Sequence, residues 1–206
     1  MDPSTLMAAG TMYVAALVAR TAADDLASDL WAKIKAAFAS KLGRDPEPKD
    51  VTATTIQDVV RDPDIQKQLQ ALLGESGVLR RAQVVERAIR DARVLWIDDR
   101  PEGNVWEHDC LTTLGANVKS VETTRSAVAC LARESYDLVI SDVARGGRDR
   151  AGIDALPEIQ AHAPRTPVVL YVMNLKPGVP AGAFGITAHP EELLHLCMDA
   201  LERRRL

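Results

Sequence analysis

Two short apolar runs in the second half of the chain end on carboxylates. Val94-Leu95-Trp96-Ile97 leads into Asp98-Asp99, and Leu138-Val139-Ile140-Ser141 leads into Asp142. Runs of this length that stop at acids fit strands of a parallel sheet, buried on both faces, with chemistry at their carboxyl ends. If the two runs are strands one and three of a doubly wound sheet, three acids converge in one crevice. Like charges held that closely repel, so such a site calls for a bound cation or for strongly perturbed pKa values.

The elements that must position these acids follow from the periodicity. From Arg93 onward strands and helices alternate, with strands at 94–97, 117–121, 137–141, 167–172 and 183–187. Helices fall near 102–114, 123–134, 152–163 and 190–204. Right-handed crossovers then place strands one and three side by side at the centre of the sheet.

The first half reads differently. Leu26, Leu30, Ile34, Phe38 and Leu42 recur four apart on one helical stripe that Gly43 closes. The polar stretch from Arg44 to Asp50 connects to a short helix from Thr55 through Val60. Asp62-Pro63 is an N-cap followed by a first-turn proline, opening a helix with Ile65, Leu69, Leu72 and Leu73 inside and Gly74 as its stop. Val78, Ala82, Val85 and Ile89 make a seam too short to establish a coiled coil. The expected organisation is a helical interaction or dimerisation domain over 1–92 and an α/β domain over 93–206.

Composition excludes several classes. The 206 residues carry a net charge of −4 and 47% hydrophobic residues, enough for a core but with no general electrostatic attraction to nucleic acid. Arg80-Arg81 and Arg87-Arg90 are scattered through mixed charge rather than gathered on a recognition helix. Cys110, Cys130 and Cys197 are widely spaced, which argues for a reduced, cytoplasmic setting and against zinc. The apolar run from Leu6 to Ala19 is too short to span a bilayer. It exposes too much apolar surface on a lone monomer, so a homodimer through the N-terminal helices is expected, with docking to an effector as the alternative. All four histidines lie at or beyond residue 108, so the helical half lacks the nucleophile of a histidine phosphotransfer bundle. His108, His162 and His195 fall on expected helices without ligand-spaced partners, and Trp96 and Trp106 read as packing residues. No G-x-S-x-G elbow accompanies Ser141, and enzymatic activity is not expected.

Residues 93–205 resemble the receiver domain of two-component response regulators. The resemblance rests on Leu95-Trp96-Ile97-Asp98-Asp99, Tyr136 through Asp142, Ala151-Gly152-Ile153-Asp154-Ala155-Leu156, Thr166-Pro167-Val168-Val169 and Gly182-Ala183-Phe184-Gly185. It implies a flavodoxin-like sheet of order 2-1-3-4-5. Asp142 is then the phosphoacceptor, and Asp98 and Asp99, with Asp142, hold magnesium. Carboxylate attack on a phosphoryl group suits a hard divalent ion that offsets the gathered charge.

The chain also departs from the family. Val172 stands where a threonine or serine hydroxyl ends strand four, Met173 follows where a small residue is usual, and Asn174 is a polar substitute only after a register shift. His189-Pro190 stands where the family places a lysine before a proline. A neutral imidazole there donates a hydrogen bond but lacks the permanent charge. The family pattern also implies a cis His189–Pro190 bond. Thirteen residues rich in proline and glycine separate Val172 from Ile186, so the helix between strands four and five, the fourth of the receiver pattern, is shortened or missing. The longer loop after Asp142 carries Arg145, Arg148 and Arg150 over the pocket, and Gly146-Gly147 lacks phosphate-loop spacing. The expectation is an atypical receiver that takes phosphate on Asp142 from a sensor kinase and regulates protein contact through the helical half. A phosphorylation-independent pseudo-receiver scaffold is the first alternative, and a small-ligand or nucleotide sensor the second.

Overall fold

The computed structural model describes residues 11, 32–39, 43–46, 55, 58–59, 62–75, 87–173 and 178–204. The chain divides into two compact units, 1–88 and 89–206. The apolar opening Leu6 to Ala19 (Thr11 apart), Leu26, Leu30, Leu42, Val60, the Val78–Val85 seam and Asn174 lie outside the described residues.

In the first unit residues 32–39 are helical, and Ile34 and Phe38 are fully buried on the expected stripe. Gly43 lies at φ 70°, its N–H donating to the Ala39 carbonyl at 2.9 Å, the geometry of a helix-closing glycine. Thr55 and Val59 are helical, and Val59 is buried. The helix Pro63–Glu75 is capped as expected: Asp62 Oδ1 accepts from the N–H groups of Asp64 at 3.0 Å and Ile65 at 3.4 Å. It runs one residue past Gly74, its expected stop. Among the described residues no helix is long and apolar enough to cross a membrane.

The second unit is built on five strands: β1 (Arg93–Ile97), β2 (Asn117–Val121), β3 (Leu138–Asp142), β4 (Val168–Tyr171) and β5 (Gly185–Thr187). All pair in parallel in the order β2-β1-β3-β4-β5, the flavodoxin-like arrangement. The central strands are buried almost throughout, as an aliphatic run covered on both faces must be. Helices α1 (Val105–Thr113), α2 (Thr124–Leu131), α3 (Leu156–His162) and α4 (Pro190–Arg204) connect and close the sheet. Leu131, Ile159 and Leu156 pack with Leu95, Ile97, Val139 and Leu170 in one core layer.

Local chemistry shifts several boundaries. A 3₁₀ turn, Pro101–Asn104, replaces the first turn expected of α1. The helix expected at 152–163 is split into a single turn, Ala151–Asp154, and α3, because Pro157 sits in the first turn of α3, where its missing N–H costs nothing. β4 and β5 are shorter than expected, since Pro167 has no N–H to give and Gly182 turns the chain at φ 91°. Between β4 and β5 no described residue is helical. The His189–Pro190 bond is trans, contrary to expectation, and no peptide bond among the described residues is cis. Pro190 instead opens α4, where its fixed φ suits a helix start.

Gly152 packs directly against the backbone at the end of β3. Its N–H donates to the Val143 carbonyl at 3.0 Å, and a Cβ there would lie 2.4 Å from the Asp142 carbonyl oxygen and 2.9 Å from Val143 Cα. Both neighbours are backbone and cannot step aside cheaply. Gly152→Ala is therefore expected to destabilise the chain by about 2 kcal/mol, measured as a lower midpoint in urea denaturation.

Candidate functional site

Parallel pairing of β1 with β3 sets the site. The register Ile97↔Ser141 brings the two strands to their carboxyl ends together, so Asp98 and Asp142 emerge side by side. Asp98, Asp99 and Asp142 each offer a carboxylate oxygen, and these oxygens lie within 4.8 Å of one another. The sequence-predicted acids thus do converge.

Each acid is held differently. Asp98 is 7% exposed, and both its oxygens are engaged: Oδ1 accepts from the Arg100 N–H at 2.7 Å, and Oδ2 accepts from the Asn104 amide. Asp99 Oδ2 accepts from the Gly146 N–H at 2.8 Å. Its other oxygen, Oδ1, is buried and accepts no hydrogen bond, with the Arg100 guanidinium 4.0 Å away. Asp142 Oδ1 accepts only a long bond from the Ala144 N–H, at 3.4 Å. Burial first, and then the neighbouring Asp98 charge, raise the Asp142 pKa above the ordinary carboxylate value, against the pull of nearby backbone N–H groups and Arg145.

The acids open into a cleft of about 460 Å³ whose lining includes Arg100, Asn104, Tyr171, Val172, Met173 and Ala188. A second recess, lined by Tyr136, His162 and Thr166, lies at the opposite ends of the strands and brings no acid cluster. Of the other predicted site residues, Val172 lines the cleft and is half-buried. His189 is exposed and outside the cleft lining, its backbone N–H taken by Thr187 Oγ1 at 3.0 Å. His195, expected to have no ligand-spaced partner, is instead buried with Nε2 3.4 Å from Asp199 Oδ2, four residues on along α4. Trp96 is buried in the core as expected. Cys110 and Cys197 are buried and form no disulfide, and burial pushes the Cys197 thiol pKa far up.

The loop after Asp142 carries the feature that sequence reasoning missed. Arg145 and Arg148 exchange backbone hydrogen bonds at 3.1 and 3.0 Å, and Gly146 and Gly147 lie at φ 57° and 72°. This is a two-residue hairpin of type I′, which needs positive φ at both central positions. Arg148 turns outward to Asp154 at 3.0 Å, and Arg150 is exposed. Arg145 turns inward and is only 4% exposed. The signal for it in the sequence is Gly146-Gly147, a pair suited to the two positive-φ positions of such a turn.

The residues fit a hard divalent cation. An all-oxygen, anionic donor set is what magnesium prefers, and Asp99 Oδ1 is a buried oxygen without a hydrogen-bond donor.

No family model matches the sequence, and no curated relative does. Among solved structures the chain is similar to a response regulator receiver domain protein (CheY-like) from Methanospirillum hungatei JF-1. The two are 19% identical with a TM-score of 0.49, over 55% of this chain and 96% of that one. It is similar to the chemotaxis response regulator CheY4 of Vibrio cholerae, 24% identical with a TM-score of 0.46, over 53% of this chain and 98% of that one. It is also similar to response regulator protein TrrA from Thermotoga maritima, solved in complex with Mg(2+)-BeF, 20% identical with a TM-score of 0.47 over 53% and 98%. The fold of the second unit rests on its own strand order, a flavodoxin-like doubly wound sheet with acids at the ends of β1 and β3.

The raised pKa of Asp142 has a defined sign. The folded chain holds its proton more tightly than the unfolded chain, so ionised Asp142 destabilises the fold above its folded pKa. That penalty fades as pH falls through the folded pKa and is gone below the unfolded value. In buffer with a chelator, Asp142→Asn is expected to raise the melting temperature at pH 7, with the gain shrinking as the pH approaches 4, read by thermal denaturation across that range.

Proposed function

We propose that the chain is a signalling protein whose C-terminal receiver accepts a phosphoryl group on Asp142 and whose N-terminal helical unit makes protein contacts. The observation that supports this best is the convergence of three carboxylates at the carboxyl ends of β1 and β3, one with a buried oxygen lacking a donor. Asp98, Asp99 and Asp142 would hold magnesium, which when bound neutralises the charge that gathers between acceptor and phosphate.

The chain's own residues supply the rest. Backbone N–H of Arg100 and the Asn104 amide fix Asp98. Partial desolvation leaves Asp142 a more basic and better nucleophile than a free carboxylate. One Asp142 oxygen attacks phosphorus. The new P–O bond forms as the donor's bond breaks: P–N in a phosphohistidine of a partner kinase, with the imidazole leaving and taking up a proton, or P–O in an acyl phosphate, with the carboxylate leaving. The product is an aspartyl phosphate, and the chain acts as a switch that is itself modified, not as an enzyme turning over a substrate.

Intact mass after incubation with magnesium and acetyl phosphate tests this reading. A gain of one phosphate, absent in Asp142→Asn, is the expected result. A second reading draws on Val172, which offers no hydroxyl to the cleft, and on His189, which lies outside it. It makes the unit a phosphorylation-independent scaffold. No mass gain, together with no magnesium binding, would establish that reading in place of the first.

The helical unit is proposed to form a homodimer through the apolar residues Leu6 to Ala19. Light scattering on the full chain is expected to give twice the monomer mass, and Leu17→Glu to return it to the monomer.

A further inference from the structure

A fully buried charge is tolerated only when something compensates it. Arg145 is such a charge, and its hydrogen bonds go to neutral acceptors. Nη1 donates to Ser141 Oγ at 2.6 Å, to the Ile97 carbonyl at 3.4 Å and to the Asp142 carbonyl, and Nη2 donates to Thr124 Oγ1 at 3.1 Å. Among the described residues no carboxylate comes within 4.0 Å of it. The acceptors are the terminal peptide groups of β1 and β3, the strands that carry the acids, and the first turn of α2. The guanidinium is thus fixed against the backbone of Asp142, with the three carboxylates as the nearby negative charge. Of the other cationic side chains described, Arg100 lines the cleft with Nε 4.0 Å from Asp99 Oδ1 but is largely exposed to solvent, and His189 is exposed and does not line it.

We propose that Arg145 is the buried cation of the site, a positioning residue that, where the exposed Arg100 is screened by solvent, offsets one of the three negative charges and leaves a net charge of two for a divalent ion. The type I′ hairpin is the device that delivers it. Gly146 and Gly147 reverse the chain within two residues, the Gly146 N–H anchors on Asp99, and Arg145 is thereby aimed inward while Arg148 faces out. The cation comes from the β3 side of the site, where the receiver pattern takes it from after the fifth strand.

This inference rests on the receiver reading of the acids, and its test separates the two. Magnesium affinity is measured by calorimetry on the full chain, on Arg145→Gln, which keeps a donor but loses the charge, and on Arg145→Lys, which keeps the charge but loses the fork. A cation beside a cation site weakens it, so Arg145→Gln is expected to bind magnesium tighter than the native chain, by roughly tenfold, and tighter than Arg145→Lys. A purely structural arginine gives the opposite sign, since its loss disorders the acids; affinity in Arg145→Gln equal to or below the native value would overturn the proposal while leaving the metal reading intact. The second arm needs no metal. In chelator, Asp99→Asn is expected to raise the melting temperature by about 3 °C more in the Arg145→Gln background than in the native one, because the acids then lack their internal cation. Equal gains overturn the proposal. If the native chain binds no magnesium, the metal reading fails and this cycle alone decides. Should Arg145→Gln not fold, refolding of the Asp99→Asn double variant supports charge balance as the cause, and continued unfolding overturns it.

Discussion

Repulsion among three carboxylates is the constraint around which the second unit is arranged. Once β1 and β3 pair in parallel register, Asp98 and Asp142 cannot avoid one another. At such separations in a half-buried setting, like charges interact with several times the energy they have in water. The surroundings answer piece by piece. Asp98 is saturated by local donors, Asp99 is bound on one oxygen, and Asp142 shifts its affinity for a proton upward. The least satisfied position is the buried oxygen of Asp99, which accepts no hydrogen bond.

Much of this was legible in the sequence, for physical reasons. An aliphatic run of four residues between helical segments has few alternatives to a buried parallel strand, and an acid at its end marks the edge of the sheet. The proline and glycine between Val172 and Ile186 disfavour a regular helix, and no residue described there is helical. Asp62-Pro63 announced a helix start because capping is decided within three residues. Each of these inferences depends on neighbours in sequence alone.

What escaped depends on long-range placement. The three arginines of the loop after Asp142 are equivalent in composition, yet Arg145 is buried while Arg148 and Arg150 are exposed. That difference is set by the twist of a two-residue turn and by acceptors 21 and 48 residues away, at Thr124 and Ile97. His189 lies outside the cleft lining for a related reason. Its place beside Pro190 matched a pattern, but Thr187 ties down the backbone and Ala188, not His189, lines the cleft. The partner of His195 was missed although Asp199 follows at helical spacing, because burial of that face of α4 is a property of the packed unit.

The same arrangement decides where a chemical change at Asp142 is felt. Val172 has no hydroxyl to follow a new group on the acid, and His189 does not reach the cleft. Two of the contacts on Asp99 and Asp142 come from the loop after β3: Gly146 to Asp99, and Arg145 to the carbonyl of Asp142 itself. Both belong to one hairpin, whose outer residues Arg148 and Arg150 pair with Asp154 in the helical turn that follows. Added negative charge on Asp142 strengthens the pull on the Arg145 guanidinium and competes with Asp99 for nearby donors. A charge added at Asp142 would therefore be felt first in the loop after β3, since no side-chain hydrogen bond joins the described residues between β4 and β5 to the three acids.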